Sequence, residues 1–117
     1  MTKSAKSPIT THILDINRGK PAVGVPVVLE QSAQGWKEIA KGVTDADGRV
    51  GNLLPPGSPI AEGTYRLTFE TSAYFQKLGV RGFYPYVTIV FEIAEASEHY
   101  HVPLLLSAHG YSTYRGS

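Results

Sequence analysis

Apolar and polar residues alternate along most of the chain, and the period is two rather than 3.6. In Thr10–Ile16, Thr11, Ile13 and Asp15 fall on one side and His12, Leu14 and Ile16 on the other. Asn17–Pro21 then reads as a turn. From Val23 to Glu30, Val23, Val25, Val27 and Leu29 are in step. Pro26 lies on the opposite parity, which predicts an edge strand or an irregular start. A turn at Gln34-Gly35 leads into a strand over Trp36–Val43. Val50–Leu54 is a shorter candidate. Pro55, Pro56 and Pro59 then remove the donors a sheet interior needs. Gly63–Glu70 alternates Tyr65, Leu67 and Phe69 against Arg66, Thr68 and Glu70. Val87, Ile89, Phe91 and Ile93 form another strand. Tyr100, Val102, Leu104 and Leu106 alternate against His99, His101, Pro103 and Leu105. Tyr111–Tyr114 is a last short candidate.

One segment breaks the period. In Thr71–Leu78, Tyr74, Phe75 and Leu78 recur at helical spacing. Thr71 or Ser72 is placed to cap it and Gly79 to end it. Seven or eight short strands, turn chemistry between them and one short helix predict an all-β, two-sheet sandwich. Its core is expected around Tyr65, Leu67, Phe69, Val87, Ile89 and Phe91. The apolar run Leu104–Leu106 suits a contact with a partner subunit.

The 117 residues accommodate one domain. Residues 1–8, rich in Ser and Lys, read as a flexible lead, and 9–117 as the single domain. The 11 basic and 10 acidic residues give a net charge of +1, so no global field draws nucleic acid or anionic lipid. No run approaches the roughly 20 apolar residues of a membrane span. No apolar core follows the lysines of the lead, so the expected compartment is the cytoplasm. There is no cysteine, which excludes thiolate nucleophiles and disulfides.

The candidate chemistry lies in histidine, arginine and the tail. His99 and His101 share a strand face, opposite Tyr100 and Val102. His12 is in the first strand, and only folding can bring it near them. His109 follows the last long strand. Functionless surface histidines would read the same way, and no carboxylate stands at a zinc-ligand spacing. Asp45, Asp47 and Gly48 are too few for a calcium loop, so the segment is a tight turn. Arg49, which follows it, is either part of that turn or an always-charged fork for a planar anion. Tyr111–Ser117 packs two tyrosines and an arginine into the end of the chain. It is either an edge strand or a docked tail that lines a site.

Three segments together carry a resemblance: Thr11-His12-Ile13-Leu14-Asp15, Thr44-Asp45-Ala46-Asp47-Gly48-Arg49, and His99-Tyr100-His101-Val102-Pro103-Leu104-Leu105-Leu106-Ser107 with Gly110-Tyr111-Ser112-Thr113-Tyr114-Arg115-Gly116-Ser117. The chain resembles the transthyretin-like (prealbumin-like) family, and within it the 5-hydroxyisourate hydrolases. Tyr114-Arg115-Gly116-Ser117 is the most specific element, because it resembles the mark of the hydrolases rather than the hormone carriers. The resemblance implies a homotetramer, a dimer of dimers, with sites in the channel between dimers and no metal or organic cofactor. It places His12, Arg49, His101, Ser112, Tyr114, Arg115 and Gly116 at the site. His99 and His109 are expected beside it. Where the family pattern has Pro and an aromatic residue, this chain has Ala108 and His109.

With no cysteine and no G-x-S-x-G elbow, direct attack by water is the simpler hydrolysis. His101 is then the expected base, and His12 the companion that orients water or protonates the leaving nitrogen. These two roles are interchangeable at this stage. Arg49 is expected to hold the oxygen on which charge grows. Arg115, Ser112 and Tyr114 would recognise the ring. The competing expectation is a small-molecule carrier that binds without turnover. Against it stands the cost of desolvating so many polar groups. A structural sandwich module ranks third.

Overall fold

Alternation decides which face each strand buries, and both sheets follow it. A computed structural model describes residues 7–50 and 53–117. Among these, the elements are β1 (Ile9–Asp15), β2 (Lys20–Pro21), β3 (Pro26–Ser32), β4 (Trp36–Val43), β5 (Gly63–Phe69), α1 (Thr71–Lys77), β6 (Val87–Ile93), β7 (Tyr100–Leu106) and β8 (Tyr111–Thr113). They form two four-stranded sheets, ordered β2-β1-β7-β8 and β4-β3-β5-β6. The second sheet is antiparallel throughout. The first contains one parallel pair, β1 with β7, in register from Ile9↔Tyr100 to Asp15↔Leu106. The expected two-sheet sandwich with one short helix is the observed architecture. Among the described residues, no helix is long and apolar enough to cross a membrane.

The core lies between the sheets. Ile9 and Ile13 of β1 and Tyr100, Val102, Leu104 and Leu106 of β7 meet Val27, Leu29, Tyr65, Leu67, Phe69, Val87 and Ile93 from the other sheet. Burying each such side chain stabilises the fold by about 1.5–3 kcal/mol. Phe91 was expected in this set but is only half-buried. Its ring stacks on Tyr65 with centroids 6.1 Å apart, toward the β6 edge.

Several local expectations need correction. β3 starts at Pro26, not Val23. Gly24, at φ 81°, breaks the run, and Val23 is exposed. Because β3 is central, Pro26 is an irregular start and not an edge residue. The predicted turn over 17–21 ends in a short strand, β2, which pairs with the end of β1. Of the candidate strand Val50–Leu54, Gly51 and Asn52 lie outside the described residues. Val50 and Leu53 are buried core residues outside any strand. Neither Thr71 nor Ser72 caps α1. Glu70 occupies the N-cap without a side-chain bond, and the Ser72 hydroxyl donates to the Pro85 carbonyl instead. Leu78 stays exposed, so Tyr74 and Phe75, with Thr71 at the first turn, are the helix's buried residues. Gly79, at φ 67°, does end it. Finally, Leu104 and Leu106 fill the chain's own core, and only Leu105 is left on the outer face.

Asp15 joins the first sheet to the helix. Its buried carboxylate accepts N–H bonds from Asn17 (3.0 Å) and Arg18 (3.2 Å) and the Tyr74 hydroxyl. Burial, then the bond to this carboxylate, raises the Tyr74 phenol above its ordinary pKa. Replacing Asp15 orphans three donors at one stroke. Asp15→Ala is expected to lose about 2–3 kcal/mol of stability in urea unfolding; a loss below about 0.5 kcal/mol would contradict this role.

Candidate active site

Four neighbouring backbone segments form one row across the outer face of the first sheet. β1 turns Thr10, His12 and Leu14 outward, because Thr11, Ile13 and Asp15 are buried. Parallel pairing sets Thr10 level with His101 and His12 level with Pro103. On the far side of β1, Arg49 makes an antiparallel bridge to His12. On the far side of β7, Gly116 makes one to His101. Antiparallel partners share a face, so Arg49 lies beside His12 and Gly116 beside His101, and the two pairs share the outer face, staggered by two residues along the parallel strands.

The Asp45–Arg49 turn delivers the arginine. The Asp45 carboxylate accepts the N–H groups of Asp47 (2.9 Å) and Arg49 (3.1 Å). Those bonds, that of Arg49 first, hold its pKa below the usual 3.8. Thr44 pins the turn from below, accepting from Val25 N–H and donating to the Ala22 carbonyl, both at 2.8 Å. Gly48 has φ 75°, and its carbonyl accepts from Ile13 N–H at 2.9 Å. A Cβ there would stand 2.5 Å from the Ile13 carbonyl oxygen, so only glycine allows the turn to lie so close to β1. The turn is therefore structural, and its product is a positioned, exposed Arg49 side chain.

His101 is half-buried, and its Nδ1 is 2.9 Å from the Thr10 hydroxyl. Its pKa is lowered from the ordinary 6.5. Burial is the first cause, followed by electrostatic repulsion from Arg49 and the neighbouring imidazoles of His12 and His99, while a backbone hydrogen bond at Thr10 acts the other way. A neutral imidazole beside a permanent cation is an arrangement that accepts a proton from one partner while a developing anion is held by the other. Gly116 closes the row. Its N–H donates to the His101 carbonyl at 2.9 Å. A Cβ at this position would come within 2.5 Å of the His101 ring carbon Cδ2.

The remaining candidates separate into two groups. Ser112 pairs with Leu105 on the same outer face as the row, and is exposed. His99 joins the row through Thr10, with Nε2 3.1 Å from the same hydroxyl. Arg115, however, turns to the opposite side of the tail. Its guanidinium donates to Glu98 (2.9 Å) and to the His99 carbonyl (3.3 Å), and lies 4.3 Å over the Tyr100 ring. With Tyr114 it lines a cavity of about 550 Å³ at the open edge between β6 and β7. His109 is exposed beside Arg81, Gly82 and Phe83, outside the row. Thr10 was not among the sequence candidates. Its parity with His12 is the one signal that could have found it. No group of three or more His, Asp or Glu able to hold a metal ion occurs among the described residues.

A histidine–arginine row on the outer face of a two-sheet sandwich defines the class, and its sequence match is specific. Residues 9–116 match the model of the HIUase/Transthyretin family. The chain belongs to that family. It is 50% identical over 110 residues to the 5-hydroxyisourate hydrolase of Salmonella typhimurium, covering 93% of this chain and 80% of that one. It is 47% identical over 114 residues to the 5-hydroxyisourate hydrolase of Mus musculus, covering 95% and 96%. The solved structure of Klebsiella pneumoniae 5-hydroxyisourate hydrolase superposes with a TM-score of 0.83 at 40% identity, covering 95% of this chain and 99% of that one. Sea bream transthyretin in complex with thyroxine superposes with a TM-score of 0.86 at 38% identity, covering 93% and 94%.

Two substitutions test the electrostatics of the row. Arg49→Gln removes a like charge, so the His101 pKa should rise toward 6.5 in an NMR titration of its ring protons. An unchanged or lower value would show that Arg49 does not act on His101. Gly116→Ala should shift those same ring resonances while leaving the fold intact.

Proposed function

We propose that this protein hydrolyses 5-hydroxyisourate to 2-oxo-4-hydroxy-4-carboxy-5-ureidoimidazoline, a step of urate catabolism, and that the row on the first sheet carries the reaction. The observation that carries this reading is the convergence of His12, Arg49 and His101 on one face, in a chain about half identical to hydrolases of that name. The carrier reading rests on the likeness to transthyretin. It is the weaker one, because a carrier has no use for a desolvated imidazole beside an arginine.

The reaction breaks an acyl–nitrogen bond in a planar ring. Water adds to the carbonyl carbon, the C–N bond breaks, the carbonyl becomes a carboxylate and the nitrogen takes up a proton. His101, kept neutral by its surroundings, takes the proton from water as the oxygen attacks. His12, on the adjacent strand, orients the water or returns a proton to the leaving nitrogen. Arg49 holds the oxygen on which charge grows, where a fixed cation contributes most in the transition state. Ser112 and Gly116 border the ring, while Tyr114 lies with Arg115 on the far side of the tail. Arg115 would have to leave Glu98 to reach the ring, or else acts from the far side of the tail. No cofactor enters these steps.

The assembly is a homotetramer, a dimer of dimers, in the cytoplasm. In support, the outer face carries Leu14 and Leu105 as well as the polar row, and exposed Phe83, Tyr86 and Val90 are apolar surface that a partner would cover. In that arrangement the row faces its counterpart and is shielded from water.

The direct test generates 5-hydroxyisourate in place with urate oxidase and follows its absorbance with and without the protein. Decay should accelerate in proportion to protein concentration above the spontaneous rate; no acceleration from folded protein would overturn the hydrolase reading and favour the carrier. His101→Ala should lower kcat/KM at least about tenfold, since positioned proton transfer contributes about 10²–10⁴-fold. The pH dependence has a defined sign. Because His101 loses its proton more readily than an ordinary imidazole, kcat/KM should hold below pH 6.5 and fall only at more acidic pH. Between that lower pKa and 6.5 the unfolded chain binds more protons at this residue, so the stability contributed by His101 also falls as pH drops through the window.

A further inference from the structure

The hydrogen bonds behind His101 form a chain whose direction is fixed at its far end. His99 Nδ1 lies 2.6 Å from the backbone carbonyl of Ser7. A carbonyl only accepts, so Nδ1 of His99 must carry the proton. In neutral His99 the other nitrogen, Nε2, is then a lone pair. That lone pair lies 3.1 Å from the Thr10 hydroxyl, which must donate to it. A hydroxyl has one hydrogen. Having given it to His99, Thr10 can only accept from His101 Nδ1 at 2.9 Å, so that nitrogen bears a hydrogen. The lone pair of neutral His101 is therefore on Nε2.

From this geometry we infer that Thr10 and His99 are positioning residues that select the tautomer of His101, through a relay anchored on the Ser7 carbonyl. The inference rests on His101 being the base in the hydrolysis proposed above. Without the relay the two neutral tautomers of an imidazole compete, and the one with hydrogen on Nε2 has no base to offer on that nitrogen. The relay also has a second setting. A proton on His99 makes Nε2 a donor, which turns the Thr10 hydroxyl toward His101 Nδ1. Neutral His101 then carries its hydrogen on Nε2, and the basic nitrogen points inward. The charged and titratable groups around the relay are Arg49 and His12 at His101, and Arg115 with its partner Glu98 at the His99 backbone. The lead into β1 takes part as well. Besides the Ser7 carbonyl at His99, the Pro8 carbonyl accepts Tyr100 N–H at 2.9 Å, which holds the start of the chain against the start of β7.

The test uses the full chain with Thr10→Val, which keeps the shape and removes the hydroxyl, and Thr10→Ser, which restores it. Nitrogen-15 imidazole spectra of the wild type at neutral pH should show His99 and His101 both protonated on Nδ1. In Thr10→Val, His101 should become a mixture of tautomers, and kcat should fall about tenfold with KM within about twofold. Thr10→Ser should restore both the spectrum and the rate. A wild-type His101 protonated on Nε2 would overturn the relay, as would a Thr10→Val enzyme with unchanged kcat and a single His101 tautomer. The spectra need no turnover. A wild type with the expected tautomers and no hydrolysis would leave the relay standing and overturn the proposed reaction instead.

Discussion

The parallel pairing of β1 with β7 is the constraint on which the rest of the molecule depends. It joins the first strand of the domain to one about ninety residues later, with seven residues of each in register. Three further bonds hold the pair: Tyr100 N–H to the Pro8 carbonyl, the Thr11 hydroxyl to the Val102 carbonyl (2.7 Å), and Ile16 N–H to the Leu106 carbonyl. Because side chains alternate, one register decides both faces at once. It sends Ile9, Ile13, Tyr100 and Leu104 into the core and leaves Thr10, His12 and His101 together outside. A slip of one residue would bury the histidines and expose the core. Core stability and the proposed catalytic row are therefore one choice.

The polar row is arranged to bear its own cost. His101 is partly withdrawn from water beside a permanent cation, which lowers its pKa from the ordinary value. Arg49 stays exposed, where its charge costs little, and its turn is rigid through Asp45, Thr44 and the glycine that rests on Ile13. Gly116 meets the imidazole from the other side with no side chain to displace it. The closing tail thus acts in two directions. Gly116 packs on the histidine, while Arg115 clamps the far face of the sheet through Glu98 and Tyr100.

Much of this was legible from one-dimensional pattern. The period of two located every long strand. The opposition of His99 and His101 to Tyr100 and Val102 put both histidines on an outer face, where they lie. Asp45, Asp47 and Gly48 read as a tight turn, which they form, while the pattern left open whether Arg49 was more than part of it. What pattern did not contain was pairing. Nothing in Thr10–Ile16 says that it will lie parallel to a strand near the other end, so the meeting of His12 with His101 came only through resemblance. The helix start misled because Thr71 and Ser72 are good capping types, yet packing of Tyr74 and Phe75 and the bond from Ser72 to Pro85 set its geometry. Tyr114 and Arg115 were grouped with their motif neighbours, but both line the cavity between β6 and β7 rather than the row. Thr10 escaped notice because a threonine in a strand is ordinary until two imidazoles converge on its hydroxyl.

A crystal structure of the protein with a planar, unreactive analogue of the urate ring would test the central claim most directly. The account places the analogue on the outer face of the first sheet, with one ring oxygen within hydrogen-bond reach of Arg49 and a carbonyl carbon facing the space between His12 and Nε2 of His101. An analogue seated instead in the cavity between β6 and β7, against Tyr100 and Arg115, would contradict it, because the histidine row would then be no more than a polar surface.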